Sequence, residues 1–258
     1  HEPNISAWRR AVCGDLTSAF NFVDPNGEAL PSLPATSRHA ADGLRQRQEQ
    51  LPQVPLPSPA HQRLPHQRRL ARPSRALPYQ LHVEATVATE QRRVTVNLFN
   101  TGEQGAVFHV YDRRDLTQIP RRYTVEAGKA VSDDWQADNE YHLWLLGPNG
   151  FHRELRGALS WPQPEVRLRP TGRSLQLQLN NPGTEAIAVT LERCPYTRQG
   201  PWHIKLPAGG SHQQTFDARA NGGWYDLTLQ SPGGWLRRLA GRLEDGAHSV
   251  SDPLMGLG

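Results

Sequence analysis

From Tyr79 onward, apolar and polar residues alternate in short runs that are separated by Gly, Asn, Asp and Pro. Because successive side chains of an extended strand point to opposite faces, each run predicts a strand with one buried face. Many short strands joined by turns are typical of a β-sandwich, so the pattern predicts an all-β fold. The first six runs are "YQLHVEATVA", "RRVTVNLFN", "GAVFHVYD", "RRYTVEAG", "NEYHLWLLG" and "GFHRELRG".

The alternating pattern then starts again as an internal repeat. "RRVTVNLFNTG" aligns with "RSLQLQLNNPG", which pairs Asn100 with Asn181. "YHLWLLGPNGFHRELRG" aligns with "YDLTLQSPGGWLRRLAG", which pairs Tyr141 with Tyr225. Each copy has about the length of a seven-stranded sandwich. The sequence therefore predicts two tandem immunoglobulin-like sandwiches, with "PNG" and "PGG" turning hairpins between the last two strands of each copy.

Residues 5–22 carry a different pattern, which predicts two short helical pieces. Trp8 and Val12 lie four positions apart, as do Leu16 and Phe20, so each pair shares one helix face. Helices this short are not stable alone and need a surface to pack on. We therefore interpret these four residues as a docking remnant of a neighbouring domain.

A proline-rich stretch follows and is predicted to form an extended arm. Proline recurs every few residues in "LPSLP", "LPQVPLPSPAHQRLP" and "RPSRALPY", which excludes helix interiors and central strands there. Only "GLRQRQEQL" (43–51) is suited to one or two helical turns. The predicted organisation is a helical remnant, a proline-rich linker arm, two sandwich repeats and a C-terminal tail. Their bounds are 1–23, 24–78, 79–160, 161–245 and 246–258.

The excess positive charge lies in the first third of the chain. The net charge is +4, and residues 1–78 hold 10 Lys and Arg against 6 Asp and Glu, while the rest holds 19 of each. The basic run 61–75 lacks the aromatic residues on which bases stack, and prolines break it, so no nucleic acid is expected as a partner. Cys13 and Cys194 lie far apart and are predicted to be free, buried thiols.

No catalytic motif is present in the sequence. It lacks G-x-S-x-G, H-E-x-x-H, the Walker A loop and C-x-x-C. The acidic residues Asp133, Asp134, Asp138 and Glu140 invite a calcium site, but a solvated turn is the better interpretation. We therefore assign no catalytic residue, no metal ligand and no cofactor. The seven tryptophans leave a glycan- or surface-binding module open as the alternative function.

Comparison of the two copies indicates one candidate interface. Tyr141 and Tyr225, with the alternate residues that follow each, are predicted to face the core. The opposite face of the first copy carries Val107, Tyr111, Trp144 and Leu146, where the second copy has Ala188, Glu192, Thr228 and Gln230. A free sandwich does not favour apolar residues on both faces. Either another part of this chain covers the face, or the face docks a further domain with Trp144 as its anchor.

The opening segment, "EPNISAWRRAVCGDLTSAFNF", closely resembles the segment that closes the catalytic domain in the bacterial phosphocholine-preferring phospholipase C family. In that family Pro usually stands where this chain has Ala7. "RPSRALPYQL" resembles the start of the family's C-terminal region, and the repeat resembles its tandem C-terminal domains. The resemblance covers essentially the whole sequence, and its opening motif is the specific part.

The resemblance implies a parent phospholipase C that cleaves phosphatidylcholine, and often sphingomyelin, to release phosphocholine. It implies a secreted or periplasmic bacterial protein, exported by a signal that this sequence does not contain. The family's nucleophile and metal ligands precede this segment, so no catalytic residue is carried over and the region is expected to be inactive by itself. Its expected partners are its own catalytic domain and a phospholipid surface. The residues do not separate the haemolytic from the non-haemolytic type, and the non-haemolytic type is our expectation.

Overall fold

The computed structural model describes residues 20–33, 36–62, 71–192 and 194–254. These residues fall into two compact units. One unit holds residues 20–24 together with 71–254, and the other is the described part of Pro25–Arg69. The described residues form one α-helix and sixteen strands, which confirms the prediction of a mostly β protein.

The second unit, which we call the arm, contains the helix α1, Arg38–Glu49. Ser37 caps it, since its Oγ accepts a hydrogen bond from the Ala40 amide at 3.3 Å. The helix begins at Arg38, ahead of the predicted start at residue 43, because no proline interrupts residues 35–51 and Ser37 caps the first turn. A short 3₁₀ helix follows at Pro59–His61. None of the described side chains of the arm is buried, so this part of the arm has no core of its own.

The strands of the larger unit follow the predicted repeat. The first repeat contains β2 Leu81–Ala88, β3 Arg93–Asn100, β4 Ala106–Asp112, β5 Arg121–Val125, β6 Lys129–Gln136, β7 Glu140–Leu146 and β8 His152–Ala158. The second repeat contains β9 Glu165–Thr171, β10 Ser174–Asn180, β11 Ile187–Leu191, β12 Trp202–Leu206, β13 Ser211–Asp217, β14 Trp224–Gln230 and β15 Leu236–Arg242. Two short strands, β1 Pro73–Ser74 and β16 Ser249–Val250, frame them.

Each repeat buries its apolar side chains between two sheets. A three-stranded sheet, β2-β3-β6 or β13-β10-β9, supplies one wall, and four strands of a larger sheet supply the other. Tyr141 is 1% exposed and Tyr225 is 9% exposed, which confirms the predicted core face. The predicted hairpins β7–β8 and β14–β15 are also confirmed by their antiparallel registers. The relationship to immunoglobulin domains stays a prediction.

The two repeats share one continuous eight-stranded sheet, which the sequence did not predict. Its strand order is β12-β11-β14-β15-β8-β7-β4-β5. The last strand of each repeat, β8 and β15, pair with each other antiparallel, with Glu154 opposite Arg238. Backbone hydrogen bonds therefore join the two repeats at the middle of the sheet, at a boundary that we call the seam.

Asp133 and Asp134 of the acidic stretch lie in a strand, so the interpretation of these two residues as a solvated turn is wrong, whereas Asp138 does lie exposed in the bend between β6 and β7. β6 is Lys129–Gln136, and its Trp135 is 8% exposed and packs in the core. Asp133 accepts a hydrogen bond from Arg121 Nη1 at 2.8 Å and another from the Tyr123 hydroxyl. Asp134 accepts one from Thr95 Oγ1 at 2.6 Å. The alternation through Val131 and Trp135 was hidden in the sequence by the acidic residues between them.

The chain segment before the first repeat is bound to the C-terminal tail. β1 and β16 pair antiparallel, and the Ser251 amide donates to the Arg72 carbonyl at 2.8 Å. The Ala76 amide donates to His248 Nδ1 at 3.0 Å. The folded unit therefore begins upstream of residue 79. The C-terminal tail holds the segment around residues 72–76 in place.

Candidate interaction surface

The structure brings the four residues of the candidate interface together on the outer face of the eight-stranded sheet. Val107 and Tyr111 lie on β4, and Trp144 and Leu146 lie on β7, with Tyr111 directly opposite Trp144. Val107 is 40% exposed, but Tyr111 and Leu146 are only 4% and 7% exposed, and Trp144 is half-buried. The surface available to a partner is therefore Val107 and part of Trp144.

Trp144 is held between two basic side chains. The Arg113 guanidinium carbon lies 3.6 Å from the centroid of the Trp144 ring. The His152 ring packs edge-on against the indole, with 6.0 Å between the centroids. A guanidinium stacked on a partly desolvated indole contributes about 0.5–2 kcal/mol. These two contacts restrict the orientation of the indole.

Glu154 positions the residues around Trp144. Its Oε1 lies 3.1 Å from Arg113 Nη1 and 2.7 Å from His142 Nε2. Burial acts to raise the pKa of Glu154, but the hydrogen bond with His142 and the charge of Arg113 outweigh it and lower the pKa to about 2. Glu154 is therefore ionised across the physiological range and holds Arg113 over the indole.

The second repeat carries the same arrangement with the charges reversed. Asp226 and Arg238 occupy the positions of the second repeat that correspond to His142 and Glu154 in the first. They form a bidentate pair, with Arg238 Nε 3.0 Å from Asp226 Oδ1 and Nη2 2.6 Å from Oδ2. Because β8 and β15 are neighbours, the acidic Glu154 of the first pair faces the basic Arg238 of the second. Opposite charges thus meet at the seam on the outer face.

On the inner face of the seam, each repeat donates an arginine to a tyrosine of the other. Arg153 Nη2 donates to the Tyr225 hydroxyl at 2.9 Å, and Arg237 Nη2 donates to the Tyr141 hydroxyl at 2.6 Å. Arg153 is 2% exposed and Arg237 is 4% exposed. Neither arginine was predicted from the sequence, although the two are separated along the chain by the same interval as the two tyrosines.

The two buried guanidiniums are satisfied without a carboxylate from the described residues. Arg153 Nη1 donates to the carbonyls of His152 and Ala240, and Arg237 Nη1 donates to those of Leu236 and Arg156. Aromatic rings add cation–π contacts: Arg153 lies 4.1 Å from the Phe151 centroid and Arg237 lies 4.8 Å from that of Trp235. Since an unsatisfied buried charge costs several kcal/mol, these contacts are what makes the burial tolerable.

Glycine makes room for each tyrosine hydroxyl. A Cβ at Gly157 would lie 2.7 Å from the Tyr141 hydroxyl oxygen, and one at Gly241 would lie 3.2 Å from that of Tyr225. Gly241 also has a φ of 152°. The two glycines stand at equivalent positions of the repeat, so each tyrosine hydroxyl at the seam is accommodated by a glycine in the same way.

The predicted docking remnant is described only at its last residue. Phe20 is 62% exposed, and its ring centroid lies 6.2 Å from that of Phe22, which in turn lies 6.2 Å from Tyr79. The other three residues, Trp8, Val12 and Leu16, lie outside the described residues, as does Cys13. Cys194 is a buried free thiol as predicted, and burial raises its pKa to about 11.

The tryptophans do not form an exposed platform in the described part of the chain. Trp135, Trp224 and Trp235 are 8%, 7% and 0% exposed, and each packs into the folded unit. Trp161, at 36%, is the most exposed of the six described tryptophans and lies against Gly233. This placement gives no support to a glycan-binding surface built from several indoles.

No cluster of three or more metal-binding side chains occurs among the described residues. The same residues contain no helix that is long and apolar enough to cross a membrane.

Two buried histidines predict how stability depends on pH. Burial, followed by the charge of Arg238, lowers the pKa of His152 from 6.5 to about 4, and burial, followed by Arg153, does the same for His82. The folded protein therefore binds fewer protons than the unfolded chain between these values. The free energy of unfolding should fall as the pH falls from 6.5 to 4. Glu244, whose pKa burial raises, opposes this trend.

Urea unfolding at pH values between 4.5 and 7.5 measures the effect. Each histidine contributes up to about 1.4 kcal/mol per pH unit. His152→Gln should reduce the slope, because it removes one of the two histidine contributions. A slope that His152→Gln leaves unchanged would contradict the assignment.

Comparison with known proteins agrees with the repeat. The family described as bacterial phospholipase C, C-terminal domain, matches residues 73–158 and again 162–242. A non-hemolytic phospholipase C from Pseudomonas aeruginosa is 43% identical over 100% of this chain and 38% of its own length. A non-hemolytic phospholipase C from Burkholderia pseudomallei is 38% identical over 98% of this chain and 37% of its own length. A hemolytic phospholipase C from Pseudomonas aeruginosa is 33% identical over 98% and 40%.

The chain thus spans about two fifths of the length of these relatives. The resemblance seen in the opening segment and in the duplicated strands is confirmed. The chain belongs to the family of bacterial phospholipase C C-terminal domains and carries two copies of that domain.

Proposed function

We propose that this chain is the non-catalytic C-terminal region of an exported bacterial phospholipase C, secreted or periplasmic and of the non-haemolytic type. The parent protein hydrolyses phosphatidylcholine, and sphingomyelin as a further substrate, to release phosphocholine. The region holds the catalytic domain and orients it at lipid. The chemistry itself needs a nucleophile and metal ligands from the rest of the protein.

The observation that carries this proposal is the exposure of apolar side chains along the arm. Six large apolar residues of the arm are exposed, by 53–91%, on a segment without a buried residue in its described part. They are Leu30, Leu33, Leu44, Leu51, Val54 and Leu56. A linker that only spans a distance needs none of them, since flexible spacers are built from polar residues. Covering one such side chain contributes about 1.5–3 kcal/mol, so the arm gains by lying on a surface.

The spacing along the arm favours a protein surface over a lipid surface. Leu30 and Leu33 are three residues apart, as are Leu51 and Val54, among prolines. A polyproline II helix has three residues per turn, so each pair lies on one edge of such a segment, which suits a groove on a protein. The arm contains no Phe, Tyr or Trp, the residues that anchor segments at a lipid interface. The catalytic domain is the partner that this chemistry fits.

The outer face of the first repeat is the second contact in this proposal. Val107 and the exposed part of Trp144 form the patch, and the arginine stack keeps Trp144 fixed. The equivalent residue of Trp144 in the second repeat is Thr228, which points to the same side of the sheet. The catalytic domain would therefore contact the first repeat and not the second.

Limited proteolysis tests the role of the arm. Trypsin should cut this chain rapidly after Arg45 and Arg47, and the same sites should resist in the full-length protein, because the arm lies on the catalytic domain there. Leu30→Ser with Leu33→Ser should raise the full-length cleavage rate toward that of the chain alone, whereas Ser32→Ala should not. Equal rates in the two wild-type forms would overturn the proposal. Only the full-length protein should release phosphocholine from phosphatidylcholine vesicles.

The patch is tested by comparing thermal unfolding of the same variants in two contexts. Trp144→Ala should lower the midpoint of the full-length protein by more than it lowers that of this chain alone, because only the former loses the interface. Thr228→Ala is the matched control and should act equally, and weakly, in both. An equal loss from Trp144→Ala in both contexts would show that Trp144 serves only the repeat itself.

A further inference from the structure

The seam has the geometry of a two-fold interface. β8 and β15 occupy equivalent places in the two repeats, and they pair antiparallel. Glu154 lies opposite Arg238, its own equivalent. When a residue faces its own equivalent across an antiparallel pair, a two-fold axis runs between them. The axis therefore passes between Glu154 and Arg238.

The contacts on the two sides of this axis are equivalent to each other, as in an isologous interface. Arg153 lies opposite Leu239 in the register, and Leu155 lies opposite Arg237. The two hydrogen bonds to tyrosine are related in the same way, since Arg153 reaches Tyr225 and Arg237 reaches Tyr141. In an isologous interface residue i contacts j, and j contacts i, which is the pattern seen here.

We propose that the seam is a self-sufficient binding surface, whose partner for each repeat is the unlike repeat. The two repeats then behave as the subunits of a two-fold dimer that a short connection joins. The chain segment that connects β8 to β9 is not what holds the repeats together. Once the backbone between Ala158 and Glu165 is cut, the repeats stay paired.

The charges on the axis select the unlike partner. Pairing of two first repeats would place one Glu154 against another, and pairing of two second repeats would place one Arg238 against another. Like charges directly opposite each other in an antiparallel pair are destabilising, whereas Glu154 opposite Arg238 is favourable. A repulsive element against the wrong partner is a general means of specificity. The divergence of these two positions therefore prevents like repeats of different chains from pairing.

Cleavage of the intact chain tests the proposal. A protease site with short Gly-Ser spacers is inserted between Ser160 and Trp161, and the purified protein is cut at micromolar concentration. Native mass spectrometry and gel filtration then report the species. We expect unlike pairs only. A second form that also lacks residues 247–258 removes the contacts of β16 with β1, and it should remain paired as well.

Variants separate the two parts of the proposal. Tyr225→Phe leaves Arg153 without one acceptor and should weaken the cut pair about tenfold or more, while Thr228→Ala on the other face of β14 should not. Glu154→Gln removes the like-charge repulsion and should allow pairs of first repeats to appear. Separation of the wild-type fragments would overturn the proposal, as would like pairs at the abundance of unlike pairs.

Calorimetry of the uncut, unmodified chain gives an independent readout. The repeats should unfold in one transition whose calorimetric and van't Hoff enthalpies agree. Tyr225→Phe should lower its midpoint without dividing it. Two separate transitions in the wild-type chain would overturn the proposal, because the seam would then not couple the repeats.

Discussion

The exchange of arginines across the seam is the constraint on which the rest of the structure depends. A buried guanidinium without a carboxylate persists only if its N–H groups find acceptors, and here part of those acceptors belongs to the other repeat. Arg153 needs Tyr225 and the Ala240 carbonyl, and Arg237 needs Tyr141 and the Arg156 carbonyl. Neither repeat can satisfy its own arginine alone. Each repeat therefore needs the other to satisfy its buried arginine, and this requirement holds β8 and β15 together in the eight-stranded sheet.

The seam also explains how the outer face of the sheet is organised. Strand β8 carries Arg153 inward and Glu154 outward. The strand that places Arg153 at the seam therefore also places Glu154, which holds Arg113 over Trp144. A rigid pair of repeats, with an arm that has no buried residue in its described part, is suited to holding another domain in a set direction. In the proposed function, the sheet supplies rigidity, the exposed apolar residues of the arm contact the catalytic domain, and Trp144 anchors that domain on the first repeat.

The alternation of residues predicted most strands and their core faces, because period two is a local signal. Asp133 hid β6, because it places a charge at an inward position between Val131 and Trp135 and so breaks the alternation. Burial of Tyr111 and Leu146 was also not predicted. The seam could not be derived, because strand pairing between repeats depends on packing and not on local pattern. The equivalent positions of Arg153 and Arg237 in the two repeats were the signal available, but arginine at an inward position is ordinarily interpreted as exposed.

Hydrogen exchange of the backbone amides tests the central claim most directly. If β8 and β15 lie at the middle of one sheet, their amides should exchange as slowly as those of β7 and β14. The edge strands β5 and β12 provide the reference within the same molecule, and they should exchange faster. Amides of β8 and β15 that exchange as fast as those of the edge strands would contradict the account, because the two repeats would then be separate sheets.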